Sequence, residues 1–205
     1  SDSDVANSVQ KWSRSLDGGT TWNNGNIELG NLARIANTIH AVSATTAYVS
    51  CYPFTTDVRG GVWVTTDAGI TWTQQQPEMF SDTYSFPEFI HFWDSNNGVV
   101  VGDPIGNYFE IYTTVDGGNN WTRVPQANLP ELYQGNTIYP LRYDVQDDTI
   151  WFITNQNGIF KSVDRGFNWS FATGFVVDMN DLYTYNFSFK NTNDGLTISS
   201  NSGGY

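Results

Sequence analysis

The chain of 205 residues carries 9 basic and 21 acidic side chains, a net charge of −12 at neutral pH. Nucleic acid and anionic membranes are recognised through clustered Lys and Arg, so this balance excludes both as partners. Aromatics at 16%, 19 glycines and only 15% charged residues favour short strands and tight turns, so we expect an all-β chain. The single cysteine, Cys51, permits no intrachain disulfide and reads as a small buried hydrophobe. No apolar run approaches the ~18 residues of a membrane span, and no basic-then-apolar segment opens the sequence, so direct membrane insertion is not expected.

In chain order, the strand "QKWSRS" (10–15) leads into the octapeptide "SLDGGTTW" (15–22). The hairpin "HAVSATTAYVSC" (40–51) and the strand "GVWVTT" (61–66) lead into a second copy, "TTDAGITW" (65–72). A hairpin with an Asn97-Gly98 turn (91–102) and "FEIYTT" (109–114) precede "TVDGGNNW" (114–121). Then come "RYDVQDDTIWFI" (142–153), "GIFKS" (158–162) and "SVDRGFNW" (162–169), and finally a hairpin over 188–199 with an Asp194-Gly195 turn. Each unit therefore reads strand, turn, strand, loop, strand, octapeptide turn, strand, which is the grammar of a four-stranded propeller blade.

The octapeptide aspartates Asp17, Asp67, Asp116 and Asp164 are spaced by 50, 49 and 48 residues, the length of one blade. The shared positions are Ser15, Asp17, Gly19 and Trp22; Thr65, Asp67, Gly69 and Trp72; Thr114, Asp116, Gly118 and Trp121; Ser162, Asp164, Gly166 and Trp169. A short carboxylate accepts backbone N–H bonds from its own turn, the hydroxyl adds another, Gly admits positive φ and Trp enters the core. The reading is a structural staple, not a catalytic or metal set. We expect a partial blade over 1–34, blades over 35–82, 83–132 and 133–180, and a partial blade over 181–205. The expected whole is an excerpt of a larger propeller; the alternative is that the two half-blades join to close a four-bladed ring.

With these turns placed, the chain resembles the Asp-box (bacterial neuraminidase repeat) propellers, which include sialidases, xyloglucanases, sortilin-type ectodomains and photosystem II assembly-factor-like proteins. A narrower resemblance, carried by "IHAVSATTAYVSCYP", "FIHFWDSNNGVVVGDP" and "DTIWFITNQNGIFKSVDRGFNW", is to secreted propeller proteins of the type IX secretion pathway. It implies an outer-membrane translocon as export partner and a cell-surface or extracellular address, and suggests "DTI" (148–150) as an O-glycosylation acceptor.

Fold alone does not give activity. Resemblance to sialidases implies an arginine triad, and no arginine here stands at a recognisable family position. A xyloglucanase-like reading needs two facing carboxylates, for which Asp103 and Asp144 are the candidates. Ungapped alignment of the hairpins puts His40, His91, Arg142 and Ser188 at one inner-strand position, a candidate basic cluster for an anionic ligand. Tyr52, Phe80, Tyr84, Phe86, Tyr133, Tyr139 and Tyr183, in long connections, are residue types that stack on sugars or anchor protein partners or else fill seams between blades. We expect a binding or display module for a protein or glycan ligand, with a glycoside hydrolase as the alternative, and neither cofactor nor metal.

Overall fold

The computed structural model describes residues 9–30, 33–55, 57–82, 85–132, 138–155, 158–172 and 186–198. Strands β1 (Lys11–Arg14) and β2 (Asn23–Asn26) form an antiparallel pair. Three four-stranded antiparallel sheets follow, each with its strands in sequence order. The first is β3 (Arg34–Ala41), β4 (Ala47–Pro53), β5 (Gly61–Thr65) and β6 (Thr73–Gln74). The second is β7 (Pro87–Phe92), β8 (Gly98–Ile105), β9 (Tyr108–Thr114) and β10 (Thr122–Arg123). The third is β11 (Ile138–Gln146), β12 (Thr149–Thr154), β13 (Gly158–Ser162) and β14 (Ser170–Phe171). A last pair joins β15 (Asn186–Phe189) to β16 (Gly195–Ile198).

The first strands touch one another from sheet to sheet, β3 to β7, β7 to β11 and β11 to β15, so they are the innermost strands of successive blades. The core lies in the seams between blades. Phe89, Val99, Val101 and Phe109 of one blade meet Ile150, Phe152, Phe160 and Trp169 of the next. There Phe109 stands edge-on to Phe152 at 5.1 Å and to Phe160 at 4.9 Å. The preceding seam is filled by Tyr48, Val62, Ile90, Phe92, Val100 and Trp121.

The four repeated turns share one set of bonds. In the third copy, Thr114 Oγ1 donates to Asp116 Oδ1 at 2.9 Å and accepts Gly118 N at 2.9 Å. Asp116 Oδ1 in turn accepts Asn120 N at 2.9 Å, and Oδ2 accepts Asn120 Nδ2 at 2.7 Å. Ser15 and Asp17 serve Gly19 and Thr21 in the same way, Thr65 and Asp67 serve Gly69 and Thr71, and Ser162 and Asp164 serve Gly166 and Asn168. The Thr21 and Thr71 bonds hold the Asp17 and Asp67 carboxyls at about 2, so these acids are ionised and already engaged.

The residue after each aspartate has positive φ, and here Ala68 (φ 65) and Arg165 (φ 58) stand where Gly18 and Gly117 do. Their strain is offset by anchoring, because Ala68 N donates to Thr45 O at 2.8 Å and Arg165 N to Asp148 O at 2.9 Å. Arg165 also bridges two blades, pairing with Asp148 at 2.7 Å and Asp94 at 3.0 Å. Trp121 and Trp169 are buried, Trp72 is half-buried and Trp22 is exposed.

Candidate functional site at the inner-strand bulges

Inner strands β3 and β7 each break register near their start. Ala36 faces Cys51 and Thr38 faces Ser50, which leaves Asn37 as the extra residue; Pro87 faces Gly102 and Phe89 faces Val101, which leaves Glu88. A bulge re-aims its side chain, and here the two extra residues meet across the seam. Asn37 Nδ2 donates to Glu88 O at 2.8 Å and to Glu88 Oε2 at 3.2 Å. Burial first, then the charge of Asp103, pushes the Glu88 carboxyl up to about 7, against the opposing Asn37 bond.

Asp103, late in β8, accepts Ile138 N at 3.0 Å, and burial pushes it up to about 6. Tyr52 follows Cys51 in β4 as Asp103 follows Gly102 in β8, and its phenol is raised by burial and by Glu88. Asn37, Tyr52, Glu88 and Asp103 thus form a polar cluster at one end of the inner strands. Two carboxyls that take up and release protons near neutral pH, an amide and a phenol suit hydrogen bonding to sugar hydroxyls or peptide groups. Among the described residues, no group of three or more His, Cys, Asp or Glu is arranged to hold a metal ion.

Further along the same strands, the His40 and His91 rings meet edge-on at 4.7 Å, and His91 also contacts Trp93 at 4.9 Å and Tyr143 at 6.0 Å. Burial lowers both imidazoles; in His91, burial first and then His40 bring it to about 4. The pair is therefore uncharged at neutral pH and does not supply the basic character expected of it.

Arg142 is not the third member of the row. Ala41–Ala47–Thr65 and Phe92–Gly98–Thr114 correspond across their sheets to Val145–Ile150–Ser162, so the residue equivalent to His40 and His91 is Asp144. Val145 and Ile150 enclose four residues where Phe92 and Gly98 enclose five, and the ungapped alignment, which also sets Thr149 instead of Ile150 against Gly98, is off by one residue in the second strand and by two in the first. Arg142 is half-buried two residues upstream. Asp144 Oδ2 accepts Phe189 N of the next blade at 2.6 Å, and its Oδ1 accepts Val145 N at 2.8 Å. Ser188 does occupy the equivalent place in β15.

Asp103 and Asp144 serve different seams, and the carboxylate neighbour of Asp103 is Glu88. Phe80 (φ 52) is buried in a seam, and Phe86 is half-buried, its carbonyl accepting Asp103 N at 2.9 Å. Tyr84, Tyr133 and Tyr183 lie outside the described residues, as does the side chain of Tyr139. Thr149 is buried in β12, so the "DTI" segment cannot accept a glycan in the folded chain.

The chain is similar in structure to YCF48 from Cyanidioschyzon merolae, with 17% identity over 86% of this chain and 69% of that one and a TM-score of 0.54. It is similar to YCF48 bound to D1 peptide, with 18% identity over 68% of this chain and 39% of that one and a TM-score of 0.50. It is also similar to the GH74 xyloglucanase from Xanthomonas campestris, with 14% identity over 80% of this chain and 27% of that one and a TM-score of 0.51. The fold is a β-propeller. No protein-family profile and no curated protein matches the sequence. At these identities the likeness shows the propeller fold alone, and the chain spans 39% of the D1-bound YCF48 and 27% of the xyloglucanase.

Proposed function

We propose that this propeller is a binding module that engages a protein or glycan ligand with the cluster of Asn37, Tyr52, Glu88 and Asp103. One observation carries the choice of binding over catalysis: the inner-strand acids are tied to neighbouring blades. Glu88 accepts Asn37 Nδ2, Asp103 accepts Ile138 N and Asp144 accepts Phe189 N. A glycosidase instead needs two carboxyls directed at one bond from either side of the sugar. The D1-peptide complex of YCF48 supports a peptide as one ligand class for such a fold. Isothermal titration with peptide and oligosaccharide panels tests the proposal; binding weakened at least tenfold by Asp103→Asn is expected, and binding indifferent to the cluster contradicts it.

The hydrolase reading is kept by a different observation, the raised pKa of Glu88. A general acid must hold its proton near neutral pH, and a carboxyl at about 7 does so. Release of reducing ends from xyloglucan, abolished by Glu88→Gln, decides for that reading.

The Asp-box family and the type IX-like export route are part of the same proposal. The hydroxyl–aspartate–glycine bonding of the four turns supports the first, and the resemblance of the hairpin segments supports the second. An outer-membrane translocon would be the export partner and the cell surface or medium the destination. Expression of the gene in a host with and without that translocon tests it, with retention in the periplasm expected in its absence.

A further inference from the structure

Gly61, Glu110 and Gly158 stand at one equivalent place in the third strands of the three complete blades, four residues before the hydroxyls of Thr65, Thr114 and Ser162. Across the sheet they face Cys51, Gly102 and Thr154. Two blades thus hold glycine there, and the middle blade holds a carboxyl that is 4% exposed. Burying an acid costs free energy, and the sibling blades form without one. Opposite it the exchange runs the other way, with Gly102 standing where Cys51 and Thr154 carry side chains.

Both departures serve the connection from β6 to β7. A Cβ on Gly102 would lie 2.5 Å from Phe80 Cε1 and 2.8 Å from the Phe86 carbonyl oxygen, so the connection rests directly on that backbone. Glu110 fastens it there. Its Oε2 accepts the Ser85 hydroxyl, and its Oε1 accepts the Tyr112 hydroxyl at 2.8 Å. Burial first, then the Glu110 charge, push the Tyr112 phenol up, so it keeps the proton it donates. The Phe80 backbone bonds the same phenol, and the Phe80 and Tyr112 rings lie 5.2 Å apart. Ser85 is fully buried, and the carbonyl of Phe86, next in the chain, accepts Asp103 N at 2.9 Å.

We propose that Glu110 is a positioning residue of the ligand site: by holding Ser85 it seats the connection whose Phe86 carbonyl fixes the Asp103 backbone, and so aims the Asp103 carboxyl. The inference rests on the reading of Asn37, Tyr52, Glu88 and Asp103 as that site. Glu110 acts through Ser85 and Phe86, without contact to the ligand itself. The arrangement accounts for the acid occurring in one blade of the three. Tyr52 follows Cys51 and Asn155 follows Thr154 where Asp103 follows Gly102, so the middle blade is the one with a carboxyl at that place to aim. A side chain that touches ligand holds its geometry only when the groups behind it are themselves held.

Burial raises Asp103 to about 6, so its titration reports on the seat with no ligand present. Glu110→Gly gives the middle blade the residue of its siblings; Ser85→Ala removes one hydroxyl, keeps the Tyr112 bond and carries the test should the first variant not fold. In a carboxyl-carbon NMR titration both are expected to move Asp103 down toward its ordinary 3.8, as the connection loosens and water enters. Thr114→Val, a buried substitution in the same strand, is the control, expected to lower the urea midpoint and leave Asp103 at about 6. An Asp103 unmoved in Ser85→Ala, or moved equally in Thr114→Val, overturns the proposal. Members of peptide and oligosaccharide panels that bind the unaltered chain are expected to bind Ser85→Ala about tenfold more weakly than Thr114→Val, and equal affinity overturns it as well. Should no member bind the unaltered chain, the reading of the cluster as a ligand site fails, and the Asp103 titration still decides whether Glu110 positions that carboxyl.

Discussion

Asn37 and Glu88 are the extra residues of bulges in successive inner strands, and they bond to each other across the seam, Nδ2 to Oε2 at 3.2 Å and Nδ2 to the carbonyl at 2.8 Å. One side-chain amide thereby satisfies a buried carboxyl and the bulged backbone beside it. Replacing it by Asn37→Ala leaves both acceptors without this donor, at a cost of about 1–3 kcal/mol. Urea unfolding checks the loss, and an NMR titration is expected to show Glu88 moving above its present value of about 7, because the amide favours the charged form.

The acids of this cluster make stability fall as pH rises. Glu88 and Asp103 titrate at about 7 and about 6 in the folded chain, above their ordinary 4.5 and 3.8. The folded state therefore holds protons that the unfolded chain has already released. Their contribution is fully present below about pH 4 and is lost as pH rises through about 7. Glu88→Gln is expected to remove a decline on the order of 1–3 kcal/mol between those limits, read from urea midpoints. An unchanged slope in the variant would place Glu88 in water.

The imidazoles act in the opposite sense. His91 titrates at about 4 when folded against 6.5 otherwise, so its contribution is present above about pH 6.5 and lost as pH falls toward 4. Protonation there would put charge beside His40, Trp93 and Tyr143. His91→Asn is expected to flatten the acid limb of the stability profile, measured by thermal unfolding at stepped pH.

The repeated turns differ in what surrounds them. Thr114 is buried and its hydroxyl accepts the buried Gly118 N–H, so Thr114→Val strands a donor at about 1–3 kcal/mol. Ser15 makes the same bond in an exposed turn. Water replaces it there, and Ser15→Ala is expected to cost less than half as much by the same assay.

These differences mark what sequence can carry. The octapeptides are local: hydroxyl, aspartate and glycine bond within five residues, so their spacing alone gave the blade period and the place of β5, β9 and β13. His40 and His91 also came together as aligned, because their hairpins have turns of equal length. Arg142 did not: the ungapped alignment set Thr149 instead of Ile150 against Gly98, and the turn is one residue shorter, so the two offsets together put Asp144 in its place. The bulges were illegible for a deeper reason. Nothing in "RIANTIH" or "FPEFIH" marks Asn37 or Glu88 as extra, because a bulge exists only relative to the partner strand. Glu88 had one visible signal, a carboxyl between the apolar Pro87 and Phe89, and Asn37, beside Thr38 in a strand that also holds Arg34 and His40, had none.

The most direct test is to record backbone NMR spectra of the chain while adding peptide and xyloglucan oligosaccharide panels, and to assay the same samples for new reducing ends. The account predicts shifts centred on Asn37, Tyr52, Glu88 and Asp103 with the ligand intact. Cleavage of the oligosaccharide that disappears in Glu88→Gln, or shifts confined to surfaces away from these four residues, would contradict it.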